Sequence, residues 1–287
     1  MKIVTDCAAD LPSEELQALD IGLAPLFIQF PDGEVSSEDI SPDEFYDRLE
    51  AMRPAVPTTA QPSSGLFAEL YRALAASDRK IFSLHISSGL SGTLGAAQVG
   101  GEMAAPEAQV TYWDTKTLSG GQRFQVLAAA LAAKLGWSLD AIQERLAEIR
   151  AHTEVVYTLE TLEYLVRGGR IGRVQALAGS LLNLKPIIRV DHDDGKYSTV
   201  AKARSIPRAL TAIADHLHGL YADSSVWVTV LHGRFAESAD ALARLLGQRL
   251  NAARLEVLRI SPVLGVHTGP GIVGAAVLPM QLMTGLV

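Results

Sequence analysis

Short apolar runs alternate with amphipathic segments along the first half of the chain, and this alternation constrains the fold more than any other sequence feature. Lys2–Thr5, Lys80–His85 and Gln109–Trp113 are short and apolar, as buried strands are. Segments with helical periodicity lie between them, among them Ser64–Ala76 and Gly92–Met103. Strands that alternate with helices favour a parallel sheet with helices on both faces. We therefore predict a mainly parallel, three-layer α/β domain.

The second half has a different character. Asp193-Asp194-Gly195 lies between the apolar runs Pro186–Val190 and Lys196–Ala201, a pattern typical of a β-hairpin and so of antiparallel strands. Helical patterns are found at Leu162–Arg167, Val174–Leu182, Ser205–Leu217 and Ala236–Leu250. We predict an α/β protein of two domains, residues 1–155 and residues 156–287. The second domain is expected to be α+β, with a mixed or antiparallel sheet.

Composition excludes several classes of protein. Apolar residues make up 48% and charged residues 20% of 287 residues, so the chain can bury a large core and is not intrinsically disordered. The net charge of −7 argues against general nucleic-acid binding, which needs a basic surface. The single cysteine, Cys7, permits neither an intrachain disulfide nor a cysteine zinc cluster. The N-terminal segment is not a signal peptide, and we expect a cytoplasmic protein.

Two long uncharged stretches, Ile81–Gly101 and Ile260–Val287, raise the question of a membrane span. The first contains HISSGLSGT, and three prolines break the second. Neither is the continuous apolar run of about 20 residues that a spanning helix needs. Uncharged stretches rich in serine, threonine and glycine in an apolar chain instead indicate a buried, mostly apolar ligand site.

Two hydroxyl-rich loops are candidates for that site. SSGLSGT, residues 87–93, follows an apolar strand and opens a helix. Backbone N–H groups are unpaired at a helix start and the dipole is positive there, so serines and glycines at this point suit an anionic ligand. The loop Pro57–Ser63 places two threonines between prolines before a second helix. Taken alone, each loop is more simply interpreted as a plain serine cap and a turn.

Two enzymatic interpretations are weaker. A hydrolase would use Ser91 as nucleophile and His267 as base, but Ser91 is not in a G-x-S-x-G motif and no third partner is evident. Gly269–Gly274 matches the dinucleotide pattern G-x-G-x-x-G, yet no acidic residue follows it. We interpret it as a turn that leads into a buried strand.

Basic residues concentrate between Arg167 and Arg208. This segment holds nine basic side chains and three acidic ones in an otherwise acidic chain. Such a patch is a candidate contact for phosphate or for an acidic partner, although a solvated face explains it equally well. The four candidates that we single out are Arg170, Arg173, Lys202 and Arg204.

Six short motifs, taken together and in order, give the chain a family resemblance. They are IVTDCAADL, TTAQPS, SSGLSGT, LVRGGRIG, LLNLKPII and HTGPG. In this respect the sequence resembles the DegV family, the fatty-acid-binding proteins of bacteria, over essentially the whole chain. It departs from the usual family pattern at Cys7, where serine is usual, and at Ala60, where serine is frequent. Both departures remove a hydroxyl group.

The resemblance implies a long-chain fatty acid, such as palmitate or oleate, buried between or beside two α/β domains. Its carboxylate would be bound by Thr59, Ser91 and the backbone N–H of Gly92, with His267 close by and no fixed cation in contact. The resemblance implies a carrier without catalytic residues, metal or cofactor. A separate ATP-dependent fatty acid kinase would convert the bound lipid to acyl phosphate for phospholipid metabolism, with the basic candidates contacting the kinase or the acyl phosphate. A kinase-independent lipid sensor or buffer is the alternative.

Overall fold

The computed structural model describes residues 1–177 and 184–287 and shows an α/β protein with three sheets. The strands are β1 (Lys2–Asp6), β2 (Ile21–Ala24), β3 (Phe27–Phe30), β4 (Gly33–Ser36), β5 (Thr58–Ala60), β6 (Lys80–His85), β7 (Gln109–Asp114), β8 (Glu154–Leu159), β9 (Lys185–Val190), β10 (Tyr197–Ala203), β11 (Ser225–His232), β12 (Asn251–Arg259) and β13 (Ile272–Pro279). The α-helices are α1 (Ser13–Ala18), α2 (Pro42–Ala51), α3 (Ser64–Ala75), α4 (Thr93–Ala104), α5 (Ser119–Lys134), α6 (Leu139–His152), α7 (Glu163–Arg167), α8 (Ile206–Tyr221), α9 (Ala236–Arg249) and α10 (Pro262–Thr268). Short 3-10 helices cover Cys7–Ala9, Gly172–Leu177 and Met280–Met283.

The first sheet is parallel, with the order β2-β1-β6-β7. Successive residues of a strand point to opposite faces, and both faces of this sheet are covered. Ile3 belongs to the same buried cluster as Phe124 of α5, whereas Val4 belongs to the cluster that contains Phe67 of α3. The predicted three-layer parallel domain is therefore confirmed.

The second sheet is mixed, with the order β10-β9-β8-β13-β11-β12. Only the β11–β12 pair within it is parallel among the described strands. The hairpin predicted at Asp193-Asp194-Gly195 joins β9 to β10. The helix predicted over Val174–Leu182 is wrong in its first part, because the chain forms a 3-10 helix up to Leu177. Residues 178–183 of that prediction lie outside the described residues.

Helix α5 lies between the parallel and the mixed sheet. Thirteen of its sixteen residues are buried, so both of its sides are covered. Arg123 on this helix donates to Glu15 of α1 at 2.8 Å and to Glu256 of β12 at 2.5 Å, which ties the two sheets together. The domain division near residue 155 would fall inside β8, and it stays a prediction.

The third sheet is small and antiparallel, with the order β4-β3-β5. It places β5, and with it Thr59, beside α10. Helix α10 was not predicted from the sequence. Its first residue, Pro262, suits the first turn of a helix, but seven residues are too few for a helical periodicity to show.

Candidate functional site

The site lies at the carboxyl edge of the parallel sheet. β1 pairs with β2 on one side and with β6 on the other, so the segments that follow β1 and β6 run to opposite sides of the sheet. Crevices at such a switch point are the usual ligand sites of open α/β sheets. The segments that diverge here contain Ala8, after β1, and Ile86–Gly92, after β6.

Thr59 and His267 meet at this crevice. Thr59 Oγ1 lies 2.8 Å from His267 Nε2. Burial lowers the pKa of His267 to about 4, and the positive charge of Arg170 acts in the same direction, so the imidazole is neutral at pH 7. A neutral imidazole donates from one nitrogen only.

The second imidazole nitrogen, Nδ1, has no hydrogen-bond partner within the described part of the chain. It packs against Gly168, where a Cβ atom would come within 2.2 Å of it. We assign the proton to Nε2, because a buried N–H without a partner is rarer than an unpaired acceptor. His267 then donates to Thr59, and the Thr59 hydroxyl proton is free to bind an anion.

Ser91 lies in the wall of the same crevice, directly before α4, whereas the next residue, Gly92, is exposed. The Ser91 and Thr93 hydroxyl oxygens are 2.8 Å apart. The Thr93 N–H donates to Ser91 Oγ at 3.3 Å, and the N-cap residue Gly92 adds no side chain, so the later N–H groups of the first turn of α4 remain available. A side chain at Gly92 would require Gln61 to shift, since the end of the Gln61 side chain occupies the position of the added Cβ atom.

Thr59, Ser91 and His267 lie in the wall of one cavity, which we call the polar cavity. Its wall is formed by Ala8, Leu26, Thr59, Ile86, Leu90, Ser91, Leu118, Arg170, Tyr197, Val263, Leu264 and His267. A second space, the apolar cavity, adjoins it. The two share Leu118, Tyr197 and Leu264, and the apolar one extends to Val155, Leu231, Ile260 and Ile272.

The four basic candidates differ in their surroundings. Arg170 is in the wall of the polar cavity, where Nη1 donates to the Gly168 carbonyl at 2.8 Å. Its place in the wall argues against the expectation of a carboxylate site with no fixed cation. Arg173 forms an ion pair with Asp194 of the β9–β10 turn at 2.5 Å, and Lys202 and Arg204 are exposed.

The wall contains residues that the sequence analysis missed, chiefly Leu26, Leu118, Tyr197 and Leu264. Their sequence signal is apolarity alone, which core residues share.

Cys7 does not line the polar cavity but contacts a residue that does. Its Sγ accepts the N–H of Leu26 at 3.3 Å. Burial raises the pKa of the Cys7 thiol, which opposes formation of the reactive thiolate.

The geometry does not favour the hydrolase interpretation. The Ser91 hydroxyl pairs with Thr93, and His267 pairs with Thr59.

A carboxylate, an imidazole and a hydroxyl are hydrogen-bonded in series elsewhere, in β1 and β6. Asp6 accepts from Ile86 N–H and lies 2.9 Å from His85 Nδ1, and His85 Nε2 lies 2.7 Å from Ser83 Oγ. All three side chains are fully buried, so this network fixes the ends of β1 and β6 out of reach of any substrate.

Two general properties bear on ligand class. Across residues 1–177 and 184–287, no three His, Cys, Asp or Glu side chains converge in a way that would bind a metal ion. Within the same ranges, none of the helices combines the length and the apolar character required to cross a membrane.

Fold and site define an α/β protein with a buried, mainly apolar space that is closed at one end by hydroxyl groups, an imidazole and a guanidinium. The sequence model of a family described as "uncharacterised protein, DegV family" matches residues 1–280. A DegV domain-containing protein of Deinococcus radiodurans is 37% identical over 278 residues, which cover 96% of this chain and 95% of that protein. The chain belongs to the DegV family.

Solved structures of relatives share the fold. A DegV family protein from Thermus thermophilus, described as binding fatty acid, superposes with a TM-score of 0.90 at 31% identity, covering 97% of this chain and 99% of that one. A stearic acid-binding protein from Eubacterium ventriosum gives a TM-score of 0.87 at 26% identity, covering 97% and 98%. The predicted DegV-like fold is confirmed.

Proposed function

We propose that this protein binds one long-chain fatty acid, such as palmitate or oleate, with its carboxylate in the polar cavity and its acyl chain in the apolar cavity. The observation that carries the proposal is the shared wall of Leu118, Tyr197 and Leu264, which makes the two mainly apolar cavities neighbours, with the imidazole and the guanidinium in only one of them. The fatty-acid-binding descriptions of the Thermus and Eubacterium relatives support it.

Burial of the acyl chain supplies the binding free energy. A C16 chain carries about 14 methylenes, each stabilising the complex by roughly 0.8 kcal/mol when it is removed from water, or on the order of 10 kcal/mol in total. Loss of translational freedom and ordering of the chain offset part of this. Tight binding therefore requires that the carboxylate not be left without partners, because a buried charge without hydrogen bonds is costly.

The polar cavity provides those partners. Thr59 and Ser91 offer hydroxyl donors, the start of α4 at Gly92 offers backbone N–H groups, and Arg170 offers a guanidinium. Hydrogen bonds to an ionised acceptor are roughly twice as strong as neutral ones. His267 contributes by orienting Thr59. Its Nε2–H donates to the Thr59 hydroxyl oxygen, which leaves the hydroxyl proton for the carboxylate.

We further propose that the bound carboxylate is presented to a separate ATP-dependent kinase. A carboxylate oxygen would attack the γ-phosphorus of ATP, the bond to the β-phosphate oxygen would break, and acyl phosphate and ADP would form. The family resemblance supports this step, as does the exposure of Lys202 and Arg204 on and beside the strand that carries Tyr197 of the cavity wall. These basic residues, with Arg173, would contact the kinase or the product phosphate.

The test begins with organic extraction of freshly purified, denatured protein and mass spectrometry of the extract. Near-stoichiometric long-chain fatty acid supports the proposal, and an empty extract with no uptake of added palmitate or oleate contradicts it. Ser91→Ala is then expected to weaken oleate binding. Ser88→Ala is the matched control, because the Ser88 hydroxyl lies in the same loop but donates to Asp114.

The kinase step is tested separately, with fatty acid kinase, ATP and oleate-loaded protein. Formation of acyl phosphate that depends on Arg173, Lys202 or Arg204 supports presentation to a kinase. Binding of oleate without phosphorylation favours the sensor or buffer instead.

A further inference from the structure

Helix α10 lies between the two cavities and contributes to both. Val263 and His267 line the polar cavity, Thr268 lines the apolar cavity, and Leu264 lines both. A small displacement of this helix would therefore change the carboxylate end and the acyl end together. What holds α10 in place thus matters for any ligand in these cavities.

The start of α10 is bound by Asp10, which lies 251 positions earlier in the chain. Asp10 Oδ1 accepts the backbone N–H of Ser261, the N-cap residue of α10, at 2.7 Å. Asp10 Oδ2 accepts the hydroxyl of Ser119, the first residue of α5, at 2.5 Å. One carboxylate therefore ties the segment after β1 to the first residues of two helices.

The position of Asp10 allows its carboxylate to hold the start of α10. Its side chain is buried, with the residue 8% exposed, and the Ser261 side chain makes no capping hydrogen bond of its own. Asp10 also lies at the base of a surface groove with Leu11, Arg259 and Ser261 in its wall. Ile260 lines both this groove and the apolar cavity, so Asp10 lies just outside the acyl end of the site.

The backbone around the carboxylate is strained. Asp10 and Ser119 have φ values of 51° and 55°, in the left-handed region that few residues other than glycine adopt. Such conformations persist only where the surrounding structure imposes them. The hydrogen bond between these two side chains joins two such positions at one point.

We propose that Asp10 is a positioning residue that fixes α10, and through it His267 and Leu264, against the two cavities. The effect on fatty acid retention rests on the proposed function. The effect on His267 does not, because the environment of that imidazole is measurable in the protein alone.

The experiment compares the full-length protein with three variants. Asp10→Gly removes the carboxylate but tolerates the positive φ, and Asp10→Asn keeps an oxygen that can accept the Ser261 N–H. Glu154→Gln is the matched control, because Glu154 is also a buried carboxylate, 2% exposed, but its side chain faces His216 and Arg189. The readouts are the pH titration of the His267 imidazole by NMR and the dissociation constant for oleate.

In Asp10→Gly, His267 is expected to titrate well above pH 4, toward the ordinary value near 6.5, because a loosened α10 admits water to the imidazole. Oleate affinity is expected to fall about tenfold, and Asp10→Asn and Glu154→Gln are expected to behave like the unaltered protein. An unchanged His267 titration in Asp10→Gly would overturn the proposal. If the unaltered protein binds no oleate, the proposed function fails while the titration still decides the role of Asp10.

If Asp10→Gly does not fold, Ser261→Pro replaces it. That variant removes the backbone N–H that Asp10 accepts at the start of α10, and the φ of −61° at Ser261 already suits proline. A raised His267 titration supports the proposal, and an unchanged one rejects it.

Discussion

The hydroxyl oxygen of Thr59 and Nε2 of His267 lie 2.8 Å apart although 208 positions separate them in the chain. The threonine belongs to a short strand of the small sheet, and the histidine belongs to the last turn of α10. The carboxylate end of the site therefore depends on contact between two segments that are distant in sequence. This contact leads to the first prediction.

Replacing Thr59 by valine keeps the shape of the side chain but removes its hydroxyl. Oleate binding is expected to weaken by about 10- to 100-fold, because a hydrogen bond to a charged group contributes roughly 1.5–3 kcal/mol. Thr59→Ser, which keeps the hydroxyl, is expected to retain most of the affinity. Equilibrium binding of oleate to both variants checks this, and equal losses in the two would contradict it.

The pH dependence of stability is expected to carry a contribution from His267. Its folded-state pKa, about 4, lies below its ordinary value of 6.5, so between these values the native state binds fewer protons than the unfolded state. The free energy of unfolding should then fall as pH falls through this window. His267→Gln is expected to remove this contribution in urea unfolding measured from pH 7 to pH 4.

Asp10 is expected to contribute with the opposite sign. Burial raises its pKa from 3.8 to about 7, against the effects of hydrogen bonds from Ser119 and Ser261 and of the charge on Arg123. The Tyr46 hydroxyl of α2 also faces the Asp10 carboxyl, and the charge of Arg259 of β12 acts on that hydroxyl as well. The native state binds more protons in this window, so the free energy of unfolding should fall as pH rises from about 4 to 7.

Asp10→Asn is therefore expected to steepen the loss of stability on acidification, because the opposing contribution of His267 remains. Combining Asp10→Asn with His267→Gln should flatten the profile in the same urea experiment. A single Asp10→Asn variant with the profile of the unaltered protein would show that this carboxyl does not titrate in the window.

Cys7 is expected to be inert in the folded protein. It is 6% exposed, its Sγ accepts the Leu26 N–H, and burial raises the pKa of the thiol. Labelling with iodoacetamide should be absent in the native protein and complete in denaturant. Cys7→Ser is expected to change the free energy of unfolding by no more than about 1 kcal/mol, since a hydroxyl oxygen can accept the same N–H.

Gly92 and Gly95, both at the start of α4, allow a matched pair of alanine substitutions. Gly92→Ala is expected to displace Gln61 and to weaken oleate binding, because the added Cβ would lie 2.3 Å from Oε1 of that side chain. Gly95→Ala, on the open side of α4, meets nothing within 4 Å and should stabilise the helix by about 0.5–1 kcal/mol without affecting binding. Binding and thermal unfolding of the two variants distinguish these outcomes.

Much of the fold could be predicted from local patterns. The alternation of strands and helices specified the parallel sheet, and Asp193-Asp194-Gly195 specified the β9–β10 hairpin, because both features depend on residues close in sequence. Helix α10 was missed because seven residues show no periodicity. Its packing between the two cavities is a tertiary property that no window of the sequence contains.

The candidate site could be predicted less completely. Thr59 and Ser91 stand out because hydroxyl groups precede helices, which is a local signal. The position of Arg170 in the cavity wall depends on how α7 packs against α10, so the sequence could not separate it from the exposed Lys202 and Arg204. For the same reason the apolar wall residues could not be told from ordinary core.

The burial of α5 between two sheets has a consequence for biosynthesis. As the chain leaves the ribosome, this helix is complete before β8 and β13 exist to cover its second side. The growing polypeptide must carry that apolar surface uncovered until Ile272–Pro279 has been translated. His267 and α10 are also translated after most of the residues that line the two cavities, so a ligand that needs both cavities can bind only once this stretch has left the ribosome.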